Sequence, residues 1–351
     1  MFFIAGFDPR AAQGYYRRIG EAQRVYGEVG PLETLGPLET WGPLSSGWRF
    51  QGSAEVVFEI LDWSDIVDSH WRAKGHFGAM VAAVRSLIVY VRYGLLARSR
   101  DGARAVWMAL LVMGLAPPVL ILIALAFAAM VGAFGGWLAL PALALGLYGA
   151  DLVWRKLNLE WLAKGFACLV ETAHGEKPSW DARCAAFAKR IVEVAKADAP
   201  DEIVVVGHSL GAILAMMTVH RYLEISAPPA RLTFATLGNI VPFYTWVEPD
   251  GRWLREGARV ARSPRIDWVD ITSGSDPASA CRMGPLVGTD AVVRRWEPEF
   301  HNILTPERFR YIRRRPLDFH FQYLRPADRP GGFDFIRMIC SNQLFFAGAP
   351  P

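Results

Sequence analysis

Ile203-Val204-Val205-Val206-Gly207-His208-Ser209-Leu210-Gly211-Ala212 runs from a β-branched apolar segment through Gly-x-Ser-x-Gly into a second apolar segment. The first four residues read as a buried strand and the residues after Gly211 as a helix. Between them the chain must reverse within a few residues. Ser209 therefore sits on a tight strand-to-helix turn, the setting of a nucleophile elbow. Side chains at Gly207 or Gly211 would collide as the helix folds back on the strand. The turn also puts Ser209 at a helix N-terminus, where amides and the helix dipole favour a developing oxyanion.

Similar elements extend outward. Residues 2–6 read as a strand closed by Gly6, and Asp8-Pro9 as a turn before a helix over 11–29. A second strand is expected over 54–61, and further strands over 202–206, 231–235, 265–271 and 291–296. Helical periodicity covers 158–172 and 180–197. Strands alternating with helices predict an α/β fold, a mostly parallel sheet with helices on both faces. Gly30-Pro31-Leu32-Glu33-Thr34-Leu35 recurs with small changes at 36–41 and 42–47. A proline every sixth residue forbids a helix, and a surface loop is expected there.

The sequence interrupts this pattern. Residues 105–131 carry no charge, nor does the chain from there to Ala150 beyond a glycine-rich turn at Gly132, Gly135 and Gly136. At 1.5 Å per residue the two arms, 105–131 and 134–153, reach roughly 40 and 30 Å, enough for each to cross a bilayer core. Four parts follow: 1–75, the first part of the α/β domain; 76–104, a basic and apolar helix in the interface or packed on the body; 105–153, a transmembrane helical hairpin; and 154–351, the main part. Arg85, Arg92, Arg98, Arg100 and Arg104 precede the hairpin, and Arg155, Lys156 and Lys164 follow it. That distribution places both ends and the catalytic domain on the cytoplasmic side of the inner membrane. Met1 to Phe7 lacks the basic region and length of a cleavable signal.

With strand, elbow and helix in this order, the sequence resembles the α/β-hydrolase superfamily, whose lipase and esterase members commonly carry the form Gly-His-Ser-Leu-Gly. The resemblance rests on short motifs of the soluble part. It implies a Ser-His-Asp triad in the chain order serine, acid, histidine. Asp276, in the loop after the 265–271 strand, fits the acid, with Asp270 its competitor. His320 in Phe319-His320-Phe321 fits the base at the start of a final helix, with His301 as the alternative. The implied oxyanion donors are the amides of Leu210 and Phe7, although Ala5-Gly6-Phe7 lacks the His-Gly pair common in the superfamily. The early place of the first strand implies that the outer N-terminal strands of that fold are absent. The expected activity is hydrolysis of an ester or thioester of an apolar acyl chain, on a lipidic or amphiphilic substrate and without a cofactor. Acyl transfer through the same triad, or a silent membrane scaffold, are the alternatives.

Composition narrows the field. The 351 residues are 52% hydrophobic and 21% charged, too apolar for disorder, and the net charge of +4 gives no basis for nucleic-acid binding. Cys168, Cys184, Cys281 and Cys340 show no metal or CxxC spacing, and free thiols are expected. His70 and His76 with Asp62, Asp65 and Asp68 match no ligand pattern, so no metal is expected. Arg308, Arg310, Arg313, Arg314 and Arg315 read as a solvated face.

Overall fold

The computed structural model describes residues 1–27, 34–51, 55–94, 104–177, 180–225, 231–280, 283–329 and 332–340. In chain order the strands are β1 (Phe2–Ile4), β2 (Thr34–Leu35), β3 (Glu39–Gly42), β4 (Ser45–Gln51), β5 (Val56–Leu61), β6 (Glu202–His208), β7 (Arg231–Leu237), β8 (Ile266–Ile271) and β9 (Arg294–Trp296). They form one sheet ordered β2-β4-β5-β1-β6-β7-β8-β9, with β3 also paired to β4. From β5 to β9 all neighbours are parallel, while β2, β3 and β4 pair antiparallel at one edge.

The helices that precede β8 are α1 (Ala11–Gly27), α2 (Ser64–Ala73), α3 (His76–Arg92), α4 (Arg104–Gly132), α5 (Ala139–Lys156), α6 (Leu159–Ala173), α7 (Asp181–Asp198), α8 (Gly211–Ile225), α9 (Val241–Thr245) and α10 (Arg252–Arg262). Four short ones follow: α11 (Phe300–Ile303), α12 (Pro306–Arg313), α13 (Pro316–His320) and α14 (Phe335–Cys340). Alternate strand residues point to opposite faces. Phe2, Ile4, Ile203 and Val205 join a core with α3, α6, α7 and α8, whereas Phe3, Ala5, Val204 and Val206 join another with α1, α11, α13 and α14. The result is an α/β fold with helices on both faces of a mostly parallel sheet.

The six-residue repeat is not a plain loop. Residues 30–33 lie outside the described part, but 34–47 supply β2, β3 and the start of β4, with Pro37 and Pro43 in the connections. Proline excludes a helix and yet tolerates strand pieces of two to four residues between turns, and such pieces suit a sheet edge. This edge of the sheet is thus built by strands that follow β1 in the chain.

Helices α4 and α5 form the hairpin, joined through a tight turn at Gly136–Leu138. Both are long and apolar enough to cross a membrane, and only 28% and 6% of their most apolar windows are buried. A core helix of a soluble domain would be mostly covered; here Leu122, Ile123, Met130, Phe134, Trp137, Leu140 and Leu145 are exposed. The two helices meet at small residues, Ala124 on one and Gly146 on the other, and Ala128 and Ala142 are buried as well. A Cβ on Gly146 would lie 3.0 Å from Ala124. Close backbone approach through small residues four apart is how helices pack in lipid. Helix α3 packs on the body through Ala79, Ala83, Leu87 and Tyr90, and leaves Phe77, Val81, Ile88 and Val91 exposed on its outer stripe. Arg98 and Arg100 lie outside the described residues.

Candidate active site

The turn between β6 and α8 has the geometry its sequence demands. Ser209 adopts the left-handed conformation at φ 57°, uncommon for a residue with a side chain. Its amide donates to the Leu237 carbonyl at 2.9 Å, which locks the turn against the end of β7. A Cβ on Gly211 would fall 2.2 Å from the Ile4 carbonyl oxygen, and one on Gly207 would fall 2.6 Å from the Ala212 Cα. Both obstacles are backbone, so neither position has room for a side chain.

Asp276 follows β8 in a turn and is fully buried, as is His320 at the C-terminal residue of α13. His320 Nδ1 lies 2.8 Å from Asp276 Oδ2. Tyr323 Oη donates to the same oxygen at 3.0 Å, and the Ala278 amide donates to Asp276 Oδ1 at 3.0 Å. Burial alone would raise the Asp276 carboxyl; the charge of His320 and these hydrogen bonds outweigh it and hold the group below its ordinary value. The acid is therefore ionised, and both of its oxygens are held by hydrogen bonds. His320 Nε2, on the other side of the ring, is buried and has no hydrogen-bond partner among the described residues.

Two contacts bring this pair to residues that flank Ser209. Gly238, directly after the residue that accepts the Ser209 amide, is at φ 56°; a Cβ there would lie 2.9 Å from His320 Cε1 and 3.3 Å from Asp276 Oδ2. The ring of His208, the residue before Ser209, is centred 4.8 Å from the His320 ring. On the opposite flank a Cβ on Gly6 would lie 3.1 Å from Ser209 Cβ. Phe7 follows, its carbonyl accepting from Trp161 Nε1 at 3.2 Å and its ring packed against Trp71. The amides of Phe7 and Leu210 donate to no acceptor among the described residues. The arrangement thus holds a strained serine, an imidazole with one nitrogen oriented and the other unpaired, and two unspent N–H donors.

No protein-family model, curated protein or solved structure matches the chain.

The competing residues lie elsewhere. His301 is on the exposed face of α11, beside Phe309. Asp270 is buried at the end of β8, where Oδ1 accepts from Thr236 and Thr272. The expected start of a final helix at His320 is instead the end of the five-residue α13, since Pro316 opens the helix there and a short 3₁₀ turn follows. The histidines and aspartates of α2 and its flanks are dispersed: His70 faces Glu171, His76 lies between Asp151 and Glu160, Asp65 pairs with Arg183 and Asp68 with Arg72. Among the described residues no group of His, Cys, Asp or Glu could hold a metal ion. In the arginine run, Arg308 pairs with Asp328, Arg310 with Glu307 and Arg315 with Asp318. Cys168 and Cys184 are buried free thiols, and Cys281 lies outside the described residues.

Asp270 gives a stability prediction. Burial pushes its carboxyl up to about 6, against the hydrogen bonds of Thr236 and Thr272 and the charge of Arg295. A carboxyl raised in the folded state binds its proton more tightly there than in the unfolded chain. Stability from this group is therefore present below about pH 4 and falls as pH rises towards 6, by about 3 kcal/mol in total. Asp270→Asn is expected to gain on the wild type by that order between pH 4 and pH 7 in denaturant unfolding. A difference that does not change with pH is the contrary result.

Proposed function

We propose that the chain is a membrane-anchored serine hydrolase of the α/β-hydrolase type, acting on an ester or thioester of an apolar acyl chain. The observation that carries this reading is the left-handed Ser209 together with the buried His320–Asp276 pair packed against its neighbours His208 and Gly238. In this reading Ser209 Oγ attacks the acyl carbonyl carbon and passes its proton to His320 Nε2. The carbonyl oxygen becomes an oxyanion, which the Leu210 and Phe7 amides can receive without first breaking bonds of their own. Asp276 keeps His320 Nδ1–H oriented and stabilises the imidazolium. The imidazolium returns its proton to the departing alcohol or thiol as the C–O or C–S bond breaks. Water, deprotonated by the same nitrogen, then releases the acid from Ser209 and regenerates the enzyme.

The preference for a lipidic substrate comes from the hairpin. Lys156 ends α5 and Leu159 begins α6, whose Trp161 holds the Phe7 carbonyl, so the anchor and the candidate oxyanion loop are a few residues apart. A site tethered at the interface meets amphiphiles at high local concentration. Fluorophosphonate labelling of detergent-solubilised protein, with turnover of esters and thioesters of graded acyl length, tests the reading. Labelling at one serine and a rise in kcat/KM with chain length are expected; an unlabelled, inactive folded protein would overturn it.

Topology is a separate expectation. An uncharged turn is the cheapest segment to translocate, since an Arg at mid-bilayer opposes insertion by about 2.5–3.5 kcal/mol while each Leu or Ile contributes only a few tenths. In a cysteine-free background Gly136→Cys should react with an impermeant maleimide added to intact cells, and Ala197→Cys, at an exposed position near the end of α7, should not. The reverse pattern would put the site outside.

A further inference from the structure

A buried chain of hydrogen bonds runs behind Ser209 and touches both of its flanks. The Gly6 amide donates to Tyr15 Oη at 3.1 Å, Tyr15 Oη lies 2.7 Å from His208 Nδ1, and His208 Nε2 lies 3.1 Å from the His320 carbonyl oxygen. A carbonyl oxygen only accepts, so His208 Nε2 carries the ring proton. In a neutral imidazole the other nitrogen is then an acceptor, and the Tyr15 hydroxyl donates to it. The Tyr15 oxygen remains to accept from Gly6. Every link has one direction, from Gly6 through Tyr15 to His208 and on to His320.

The surroundings keep the chain in that state. Burial, with the positive charges of His320 and Arg18, pushes the His208 pKa down to about 3 against the opposing pull of Asp276. Burial raises the Tyr15 hydroxyl, so it stays protonated and able to donate. The rings of Tyr15, Phe321 and His320 enclose His208 at centroid distances of 5.8, 5.3 and 4.8 Å. Packing alone would be met by an aromatic hydrocarbon. Two polar side chains that satisfy each other and two backbone groups point to a demand on geometry.

We propose that Tyr15 and His208 are positioning residues that hold the two halves of the Ser209 site in register. Tyr15 fixes Gly6 and so aims the unspent Phe7 amide. His208 fixes the His320 backbone and so seats the imidazole that meets Asp276. Neither touches the reacting atoms. Because both ends attach to one neutral ring beside Ser209, loosening either end releases the other. The inference rests on the serine-hydrolase reading above.

The test uses full-length protein in detergent, a p-nitrophenyl ester as substrate, and fluorophosphonate labelling to count competent sites so that unfolded material does not enter. Tyr15→Phe and His208→Leu should each lower kcat per labelled site about tenfold while KM stays within about twofold, since positioning acts on the transition state rather than on substrate affinity. The double variant should fall little below the weaker single. Independently of any variant, ¹⁵N-histidine spectra of the wild type should show His208 as the neutral Nε2–H tautomer from pH 5 to 8. Unchanged kcat per labelled site in both singles, fully multiplicative losses, or a charged or Nδ1–H His208 at pH 6 would overturn the pairing. A folded wild type that takes no label would instead overturn the hydrolase reading, and the positioning role with it.

Discussion

Ser209→Ala is expected to abolish fluorophosphonate labelling and to lower kcat/KM for esters by about four to six orders of magnitude, the scale on which triad nucleophiles act. The size follows from the proposed pathway. Without Oγ there is no acyl-enzyme, and what remains is carbonyl polarisation by the Phe7 and Leu210 amides together with binding. The fold should survive, because alanine at φ 57° meets the same backbone strain as serine and the turn is held by the Ser209 amide, which the substitution retains. Mass spectrometry of labelled wild type and variant, with thermal unfolding of both, reads the two halves together. Labelling that persists in a folded variant would remove Ser209 from the nucleophile role.

His320→Asn should cost about four orders of magnitude in kcat, whereas His301→Ala should leave it within about twofold. Asparagine is the informative replacement. Asp276 is fully buried and ionised, and its oxygens meet only the His320 imidazole, the Tyr323 hydroxyl and the Ala278 amide among the described residues. Removing the partner outright would leave a buried carboxylate short of a donor, at a cost of several kcal/mol that would confuse lost chemistry with lost fold. An asparagine amide can still donate from near the Nδ1 position but has no basic nitrogen on the Ser209 side. Equal losses at the two histidines, or a larger one at His301, would reverse the choice. A pH–rate profile of the wild type, with a limb in the histidine range that the asparagine variant lacks, provides a second reading.

Much of the frame is local and could be read from residue order. Ile203 to Val206 must be buried on both faces, so four β-branched residues announce a central strand, and β6 lies between β1 and β7. The long apolar arms on either side of Gly132 and Gly136 announce α4 and α5 in the same way. The repeat at 30–47 was harder: its prolines signal breaks, and breaks separate loops and short edge strands alike. Only pairing with β4 distinguishes the two, and pairing is not a local property. For the candidate site, sequence narrowed the acid to Asp276 or Asp270 and the base to His320 or His301. Tyr323, three residues beyond His320, was within reach of the same reasoning. Tyr15 was not, since it meets His208 across 193 residues of chain.

By itself the sequence determined the strand-turn-helix at Ser209 and the apolar hairpin, because both depend on sterics and hydropathy within a few residues. Tertiary structure alone decided which histidine meets Asp276, that His208 and Tyr15 link Gly6 to His320, and that the sheet acquires its antiparallel edge from 34–51. Hydrogen bonds between groups 44, 112 and 193 residues apart follow from strand order and from the side of the sheet each helix covers. The packing of the whole chain sets that order, and no single window of residues contains it.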